Sequence, residues 1–317
     1  MTSPEGQRQS WPQNSPKFAV VGAGAVGGYF GGMLARAGAP VVFIGRPAFV
    51  EAVRKNGLLL DTLNFRETVR VEASSELDAV RGADIVLFCV KTTDTVSTAR
   101  ALKPLLSREP LVVSMQNGVD NAQQICAAAG INALSSVVYV AASMPEPGHI
   151  KHVGRGDLVV GPRGERTERV AGLFETAGVP CRVSDNIEGE LWTKLIWNCA
   201  LNAISALGRA NYGQIAASDD ARKLVETVVY EVLAVARAAD IQPPGLEDPK
   251  AALAGAMKIA SQMSGALSST GQDLMRGKRT EIDSLNGYIS RRGAELGVPT
   301  PVNHALYILV KLAEGRQ

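Results

Sequence analysis

KFAVVGAGAVGG, residues 17–28, holds a short apolar, β-rich run that ends in spaced glycines, and residues 29–37 continue at helical spacing. The order is strand, glycine turn, helix. Gly22, Gly24 and Gly27 fit the pattern G-x-G-x-x-G. In such a pattern the first glycine makes the tight turn, the second lets the backbone approach a pyrophosphate, and the third packs helix against strand. Free N–H groups at the start of the helix, around Ala25 and Val26, add a partial positive charge for the phosphates. A second strand over 40–44 follows at the expected distance, so the stretch predicts a parallel α/β sheet that binds a dinucleotide.

The end of the second strand bears on which dinucleotide. Where an NAD site usually carries an acid for the ribose 2′-hydroxyl, this chain has Gly45 and then Arg46, nineteen residues after Gly27. A guanidinium fork suits a 2′-phosphate and favours NADP by roughly 1.5–3 kcal/mol. A surface arginine beside Pro47 that touches nothing is the purely structural alternative.

Residues 48–56 read as a helix and 58–71 as two short strands, a possible hairpin. The continuous apolar runs at 83–90 and 111–114 read as strands buried on both faces of a parallel sheet. Lys91 and Asn117 follow their carboxyl ends, the side on which ligands lie in open α/β sheets. Helix capping, or a turn at Asn117-Gly118, would also account for them. From 135 to 161 come three strand runs, SSVVYVAAS, HIKHVG and GDLVVG, with the turn formers MPEPG and GRG between them. A helix over 165–177 and a last strand over 180–183 complete this half. Everything beyond reads as helix: 186–208, about 219–240, 249–264, 280–296 and 301–314. The expected organisation is a flexible polar extension over 1–16, a Rossmann-type domain over 17–185 and an all-helical domain over 186–317.

Composition narrows the partners. Across 317 residues, 33 Lys+Arg stand against 31 Asp+Glu, which gives no basic field for nucleic acid or an anionic membrane. No apolar run reaches membrane-spanning length, and the first sixteen residues lack the apolar core of a signal peptide. Cys89, Cys126, Cys181 and Cys199 are far apart and in no zinc-like spacing, as for small buried hydrophobes in a reducing cytoplasm. His149 and His152, three apart in an extended segment, point to opposite faces and hold no metal. The apolar helix at 305–312 could be covered by the first half or by a second copy, which leaves monomer and homodimer both open.

Within the helical half, ELWTKLIWNCALNAISALG, residues 190–208, is apolar almost all the way round, as a helix buried in a domain interior requires. One line breaks the pattern. Lys194, Asn198 and Asn202 stand at i, i+4 and i+8, with Ser205 close by, so an ammonium and two carboxamides share one face. Each such group, left unsatisfied, costs about 1–3 kcal/mol, which points to a polar cleft. Snorkelling by Lys194 and asparagines that tie down a loop are the structural alternative. Residues 267–282, LSSTGQDLMRGKRTEI, form the longest polar interruption among the helices, where hydroxyls and acids could equally serve as helix caps.

Taken together, GAGAVGG with Arg46, VKTTDT at 90–95, QNGVDN at 116–121, ELWTKLIWNCALN at 190–202 and SSTGQDLMRGKRTEID at 268–283 resemble the ketopantoate reductases, the 2-dehydropantoate 2-reductases. The blocks keep the family's order and spacing and span nearly the whole chain from Lys17 onward. The resemblance implies a Rossmann domain followed by a helical one, and NADPH-dependent reduction of ketopantoate to pantoate on the way to pantothenate and coenzyme A. Carried over by position, Lys194 would be the general acid and Asn117 would lie near the ketone and nicotinamide. Lys91 would line the cleft, and Asn198, Asn202, Ser269 and Glu281 would hold the substrate. The chain departs from the family pattern at Ala266, often Asn, and at Thr270-Gly271, where bulkier residues are common. Asn211 or a neighbour fills the asparagine position after the Lys194 helix.

The implied chemistry agrees with the residues. Hydride arriving at a ketone carbon leaves an oxygen that needs a proton and a positive field. A lysine on a buried helix, its pKa lowered by desolvation yet held protonated by an acid such as Glu281, supplies both. Two other readings stay in view: reduction of another 2-oxo acid or an imine on the same fold, and a non-catalytic NADP-binding protein.

Overall fold

The computed structural model describes residues 11, 15–106, 110–246 and 248–315. It divides into two units, Met1–Ile187 and Glu188–Gln317. Most of the extension expected over 1–16 lies outside the described residues. Trp11 is described, and its ring packs edge-on to Phe18 with centroids 6.4 Å apart.

In the first unit the KFAVVG run folds as β1 (Phe18–Val21), and the glycine turn leads into α1 (Ala25–Arg36). Next come β2 (Val41–Ile44), α2 (Pro47–Asn56), the antiparallel pair β3 (Leu58–Asp61) and β4 (Arg66–Val69), and β5 (Glu72–Ser74). Then follow β6 (Ile85–Phe88), α3 (Thr95–Leu102), β7 (Leu111–Ser114), α4 (Asn121–Ala129), β8 (Ala133–Ser143), β9 (His149–Gly161), α5 (Glu165–Thr176) and β10 (Cys181–Val183). The sheet runs β4-β3-β9-β8-β7-β6-β1-β2-β5, with β10 beside β9. β1 pairs in parallel with β2 on one side and β6 on the other, so the strand order reverses beside β1, where the glycine turn emerges.

Every residue of β1, β6 and β7 is buried, and alternate side chains serve opposite faces. Phe18, Val20, Leu87 and Val113 join one core with Phe30 and Leu34 of α1 and Phe174 of α5. Ala19, Val21, Phe88 and Val112 join another with Ala99 and Leu102 of α3 and Ile125 of α4. Burial of each large side chain contributes about 1.5–3 kcal/mol. This doubly covered sheet is the Rossmann-type architecture that the glycine stretch predicts.

The second unit is helical. It comprises nearly all of α6 (Ile187–Gly208), then α7 (Tyr212–Ala217), α8 (Asp219–Ala238), α9 (Pro249–Gln262), α10 (Ser269–Met275), α11 (Asn286–Leu296) and α12 (Pro301–Glu314). Trp192, Leu195, Ile196, Cys199 and Leu201 bury different sides of α6, as its all-round apolar pattern requires.

Three local expectations change. HIKHVG and GDLVVG are one strand: at GRG, Arg155 (φ +54°) and Gly156 (φ +124°) make a bulge against β8 where a chain reversal was expected. The polar interruption at 267–282 contains α10, begun by the Ser268 hydroxyl, which accepts from the Gly271 N–H. Residues 280–285 are not helical beyond a single 3-10 turn at Ile282–Ser284, because Thr280 and Asp283 spend their side chains on α12.

Candidate active site

Gly22 turns the chain out of β1 with φ +99°, and a Cβ there would meet the Val90 nitrogen at 2.6 Å. The Gly22 and Ala23 N–H groups both donate to the Ile44 carbonyl, at 3.0 and 3.1 Å, which ties the loop to the end of β2. At Gly27 a Cβ would lie 2.6 Å from the Gly22 carbonyl oxygen and 2.7 Å from Val20 Cγ1, so α1 rests directly on β1. Gly24 differs: nothing lies within 4 Å of the position its Cβ would take. No side chain caps α1 there, and its first turn holds no acid. The N–H groups of Ala25, Val26 and Gly27 have no acceptor within the helix. Open space beside these donors, at the positive end of a twelve-residue helix, fits a pyrophosphate. Arg46 follows β2 and directly precedes α2. It is exposed, and its side chain has no hydrogen-bond or ion-pair partner among the described residues.

The adjacent parallel strands β6 and β7, with Phe88 opposite Ser114, bring half-buried Lys91 and Asn117 to the carboxyl end of the sheet. A residue that the sequence gives no role lies between them. The Gln116 amide nitrogen donates to the Val90 carbonyl at 3.0 Å and to the Thr95 hydroxyl oxygen at 2.7 Å. Its amide oxygen accepts from the Ser114 hydroxyl at 3.2 Å. Asn121 donates to the Asn117 carbonyl at 2.6 Å, and Ser136 to the Ser114 carbonyl at 2.6 Å. Thr95, Ser114, Gln116, Asn121 and Ser136 are each no more than 5% exposed, so water does not compete for these bonds. The network fixes the two strand ends relative to one another.

On α6 the predicted line is present: Lys194 and Asn198 are half-buried and Asn202 is buried. The Asn198 side chain has no hydrogen-bond partner among the described residues. The Asn202 oxygen accepts from the Tyr212 hydroxyl at 2.9 Å, while its amide nitrogen has no partner among the described residues. Ser205 belongs to a brace: its hydroxyl donates to the Ala210 carbonyl at 2.7 Å and accepts from the Ser268 N–H at 3.2 Å. The Ser268 hydroxyl donates in turn to the Asn202 carbonyl at 2.9 Å, which docks the start of α10 against α6. Ser269, the first residue of α10, is exposed, and its hydroxyl has no partner among the described residues. Glu281 is half-buried in the segment that Thr280 and Asp283 hold to α12.

Asn211 caps α7 in a reciprocal pair with Gln214, at 2.8 and 2.9 Å, so its carboxamide oxygen is committed. The polar group that this segment sends to α6 is the Tyr212 hydroxyl, for which sequence spacing gives no signal. Burial pushes Tyr212 up to about 12, so at neutral pH the phenol keeps its proton. Burial also raises the thiols of Cys89 and Cys199, and raises Cys181 to about 12 with a further push from Glu175. None of these three is poised as a thiolate. His149 meets Asp61 at 3.2 Å, while His152 stacks on Tyr29 with ring centroids 4.5 Å apart. Among the described residues no group of three or more His, Cys, Asp or Glu could hold a metal ion, and no helix is long and apolar enough to cross a membrane.

Comparison with known proteins follows the same division. Residues 18–165 match the family model described as ketopantoate reductase PanE/ApbA, and residues 186–314 match the model of its C-terminal part. A 2-dehydropantoate 2-reductase of Pyrococcus horikoshii is 31% identical, the match covering 94% of this chain and 97% of that one. The crystal structure of a PanE/ApbA family ketopantoate reductase from Ralstonia eutropha is 49% identical with a TM-score of 0.89, covering 95% of this chain and 99% of that one. A D-mandelate dehydrogenase solved with NADH and anilino(oxo)acetate is 25% identical with a TM-score of 0.87, covering 95% and 98%.

Proposed function

This chain belongs to the ketopantoate reductase family, oxidoreductases acting on a CH–OH group with a nicotinamide dinucleotide, and from that premise we propose that it reduces 2-dehydropantoate to pantoate with NADPH. Its place would be in pantothenate and coenzyme A synthesis. The observation that carries the reading is the donor line on α6. A side-chain ammonium, a carboxamide with no partner among the described residues and a second carboxamide whose nitrogen has none among them follow one another on a largely apolar helix. Polar groups in such a place favour a ligand that satisfies them.

The roles follow from chemistry. Gly22, Gly24, Ala25, Val26 and Gly27 would hold the pyrophosphate, and Arg46 the 2′-phosphate. Lys91 and Asn117, fixed by the Gln116 network, would meet the nicotinamide end. When bound, NADPH supplies the hydride. Lys194 supplies the proton to the substrate oxygen, and Glu281 helps keep that amine charged. Asn198, Asn202 and Ser269 present neutral donors to the carboxylate.

A second reading, another 2-oxo acid on the same fold, is favoured by Ala266 and Gly271, neither of which offers a side-chain donor. Gly271 is buried, and a Cβ there would come within 3.4 Å of the Ala206 Cα. The D-mandelate dehydrogenase relative is a precedent for a different acid. NADPH absorbance followed across a panel of 2-oxo acids separates the readings: 2-dehydropantoate is expected to give the highest kcat/KM, and a different best acid would select the second. Lys194→Ala should lose about 10²–10⁴ in turnover while NADPH affinity barely changes. Near-normal turnover would reject the general acid, and NADPH binding without turnover of any oxo acid would leave a cofactor-binding protein.

A further inference from the structure

We propose that Tyr212 is a positioning residue for substrate recognition: by donating to the Asn202 oxygen, its hydroxyl fixes the Asn202 amide nitrogen as the donor offered to a carboxylate. The inference rests on the reading of Asn202 as a substrate contact.

A carboxamide has two orientations, related by a flip, and they present opposite faces to a ligand, N–H in one and C=O in the other. An anion needs N–H. In the structure the Tyr212 hydroxyl donates to the Asn202 oxygen at 2.9 Å, and Tyr212 is only 7% exposed. With the amide flipped, its N–H would donate to the phenol oxygen instead, and the phenol hydrogen, buried with Tyr212, would be left without its acceptor. The hydroxyl therefore favours the orientation in which the Asn202 N–H groups face the ligand, by the cost of that unsatisfied hydrogen.

The hydroxyl is itself held in place. The Tyr212 N–H donates to the Ala266 carbonyl at 3.0 Å, and the Gly213 N–H to the Ser264 carbonyl at 2.8 Å. Asn211 locks the start of α7 through its reciprocal pair with Gln214. Ser268, two residues beyond Ala266, grips the Asn202 carbonyl at 2.9 Å, so backbone and side chain of Asn202 are gripped from one connected segment. Burial that raises the phenol pKa keeps it a donor throughout the neutral range.

Tyr212→Phe removes the hydroxyl and little else. In 1H–15N spectra of the ligand-free protein, wild type is expected to show one side-chain NH2 pair for Asn202, identified by its loss in Asn202→Asp. Tyr212→Phe should double or broaden that pair, and an unchanged single pair would overturn the proposal. In turnover, Tyr212→Phe should raise KM for the preferred 2-oxo acid about tenfold with kcat and NADPH affinity preserved. Tyr212→Phe should add nothing to Asn202→Ala, and additive losses would show that Tyr212 acts elsewhere. The spectrum needs no substrate, so it still judges the proposal if wild type reduces no oxo acid, a result that would reject the proposed function alone.

Discussion

Gly24 and Gly27 lie three positions apart and are expected to respond oppositely to the same methyl group. At Gly27 the added carbon meets a backbone carbonyl at 2.6 Å, which cannot yield without parting α1 from β1. Gly27→Ala should therefore lower the unfolding midpoint, by an amount equivalent to about 1–3 kcal/mol. At Gly24 the carbon meets nothing within 4 Å. Gly24→Ala should leave the midpoint of the ligand-free protein unchanged and weaken NADPH at least tenfold, because the methyl enters the space assigned to the pyrophosphate. Equal NADPH affinity in Gly24→Ala and wild type would remove the phosphate from that space. The turn at Gly22 and the close packing at Gly27 were legible in the sequence because they depend on backbone geometry over a few residues. Gln116 and Tyr212 were not, since each acquires its meaning from a partner 21 or 10 residues away, brought close only by the fold.

α12 illustrates what periodicity does and does not convey. Its span was readable from the proline at its start and the apolar repeat, but its electrostatic partners were not. Burial pushes the Asp283 and Glu314 carboxyls up, yet both end below their ordinary values. Bonds from Lys311 and Tyr307 outweigh burial at Asp283, and bonds from Thr280 and Lys311 do so at Glu314. Lys311, lowered by burial but bonded to both acids, ends above its ordinary value. Groups held low contribute stability that is complete above the unfolded carboxyl pKa, near 4, and that is lost as pH falls through the folded values. The amine contributes in the opposite direction, fully below its unfolded pKa and not at all once pH has risen through the folded value. Lys311→Met should therefore be less stable than wild type at neutral pH, with the gap closing as pH falls below about 4 and through the folded carboxyl values. A gap independent of pH in urea titrations would exclude the ion pairs as its cause. The same bonds explain why a continuous helix over 280–296 was the wrong expectation: Thr280 and Asp283 bond across to Glu314 and Lys311 of α12 where a helix would need them to follow its own axis.

The division into a doubly wound sheet and a set of helices was legible because the hydrophobic period changes from strand-like to helical near residue 186. Substrate identity was not, since it depends on a few donors whose neighbours are distant in sequence. The glycine loop lies in the first unit, and NADPH at a hundredfold excess over its Kd should stabilise the chain by about 2.7 kcal/mol. NADH at the same concentration should stabilise it less, by the margin assigned to Arg46. Arg46→Asp should abolish that margin, and equal loss for both cofactors would overturn the 2′-phosphate assignment.

The location of Arg46 gives that substitution a second outcome. The arginine holds the position just before α2, where it makes no side-chain bond to the helix, and no acid follows in the first turn. Aspartate is among the best residues for such a place and typically adds about 0.5–2 kcal/mol. The altered chain should thus melt later when empty while handling NADPH worse. Heat tolerance and cofactor choice would then be in competition at one side chain, and screening variants for ruggedness alone would steadily discard the preferred coenzyme.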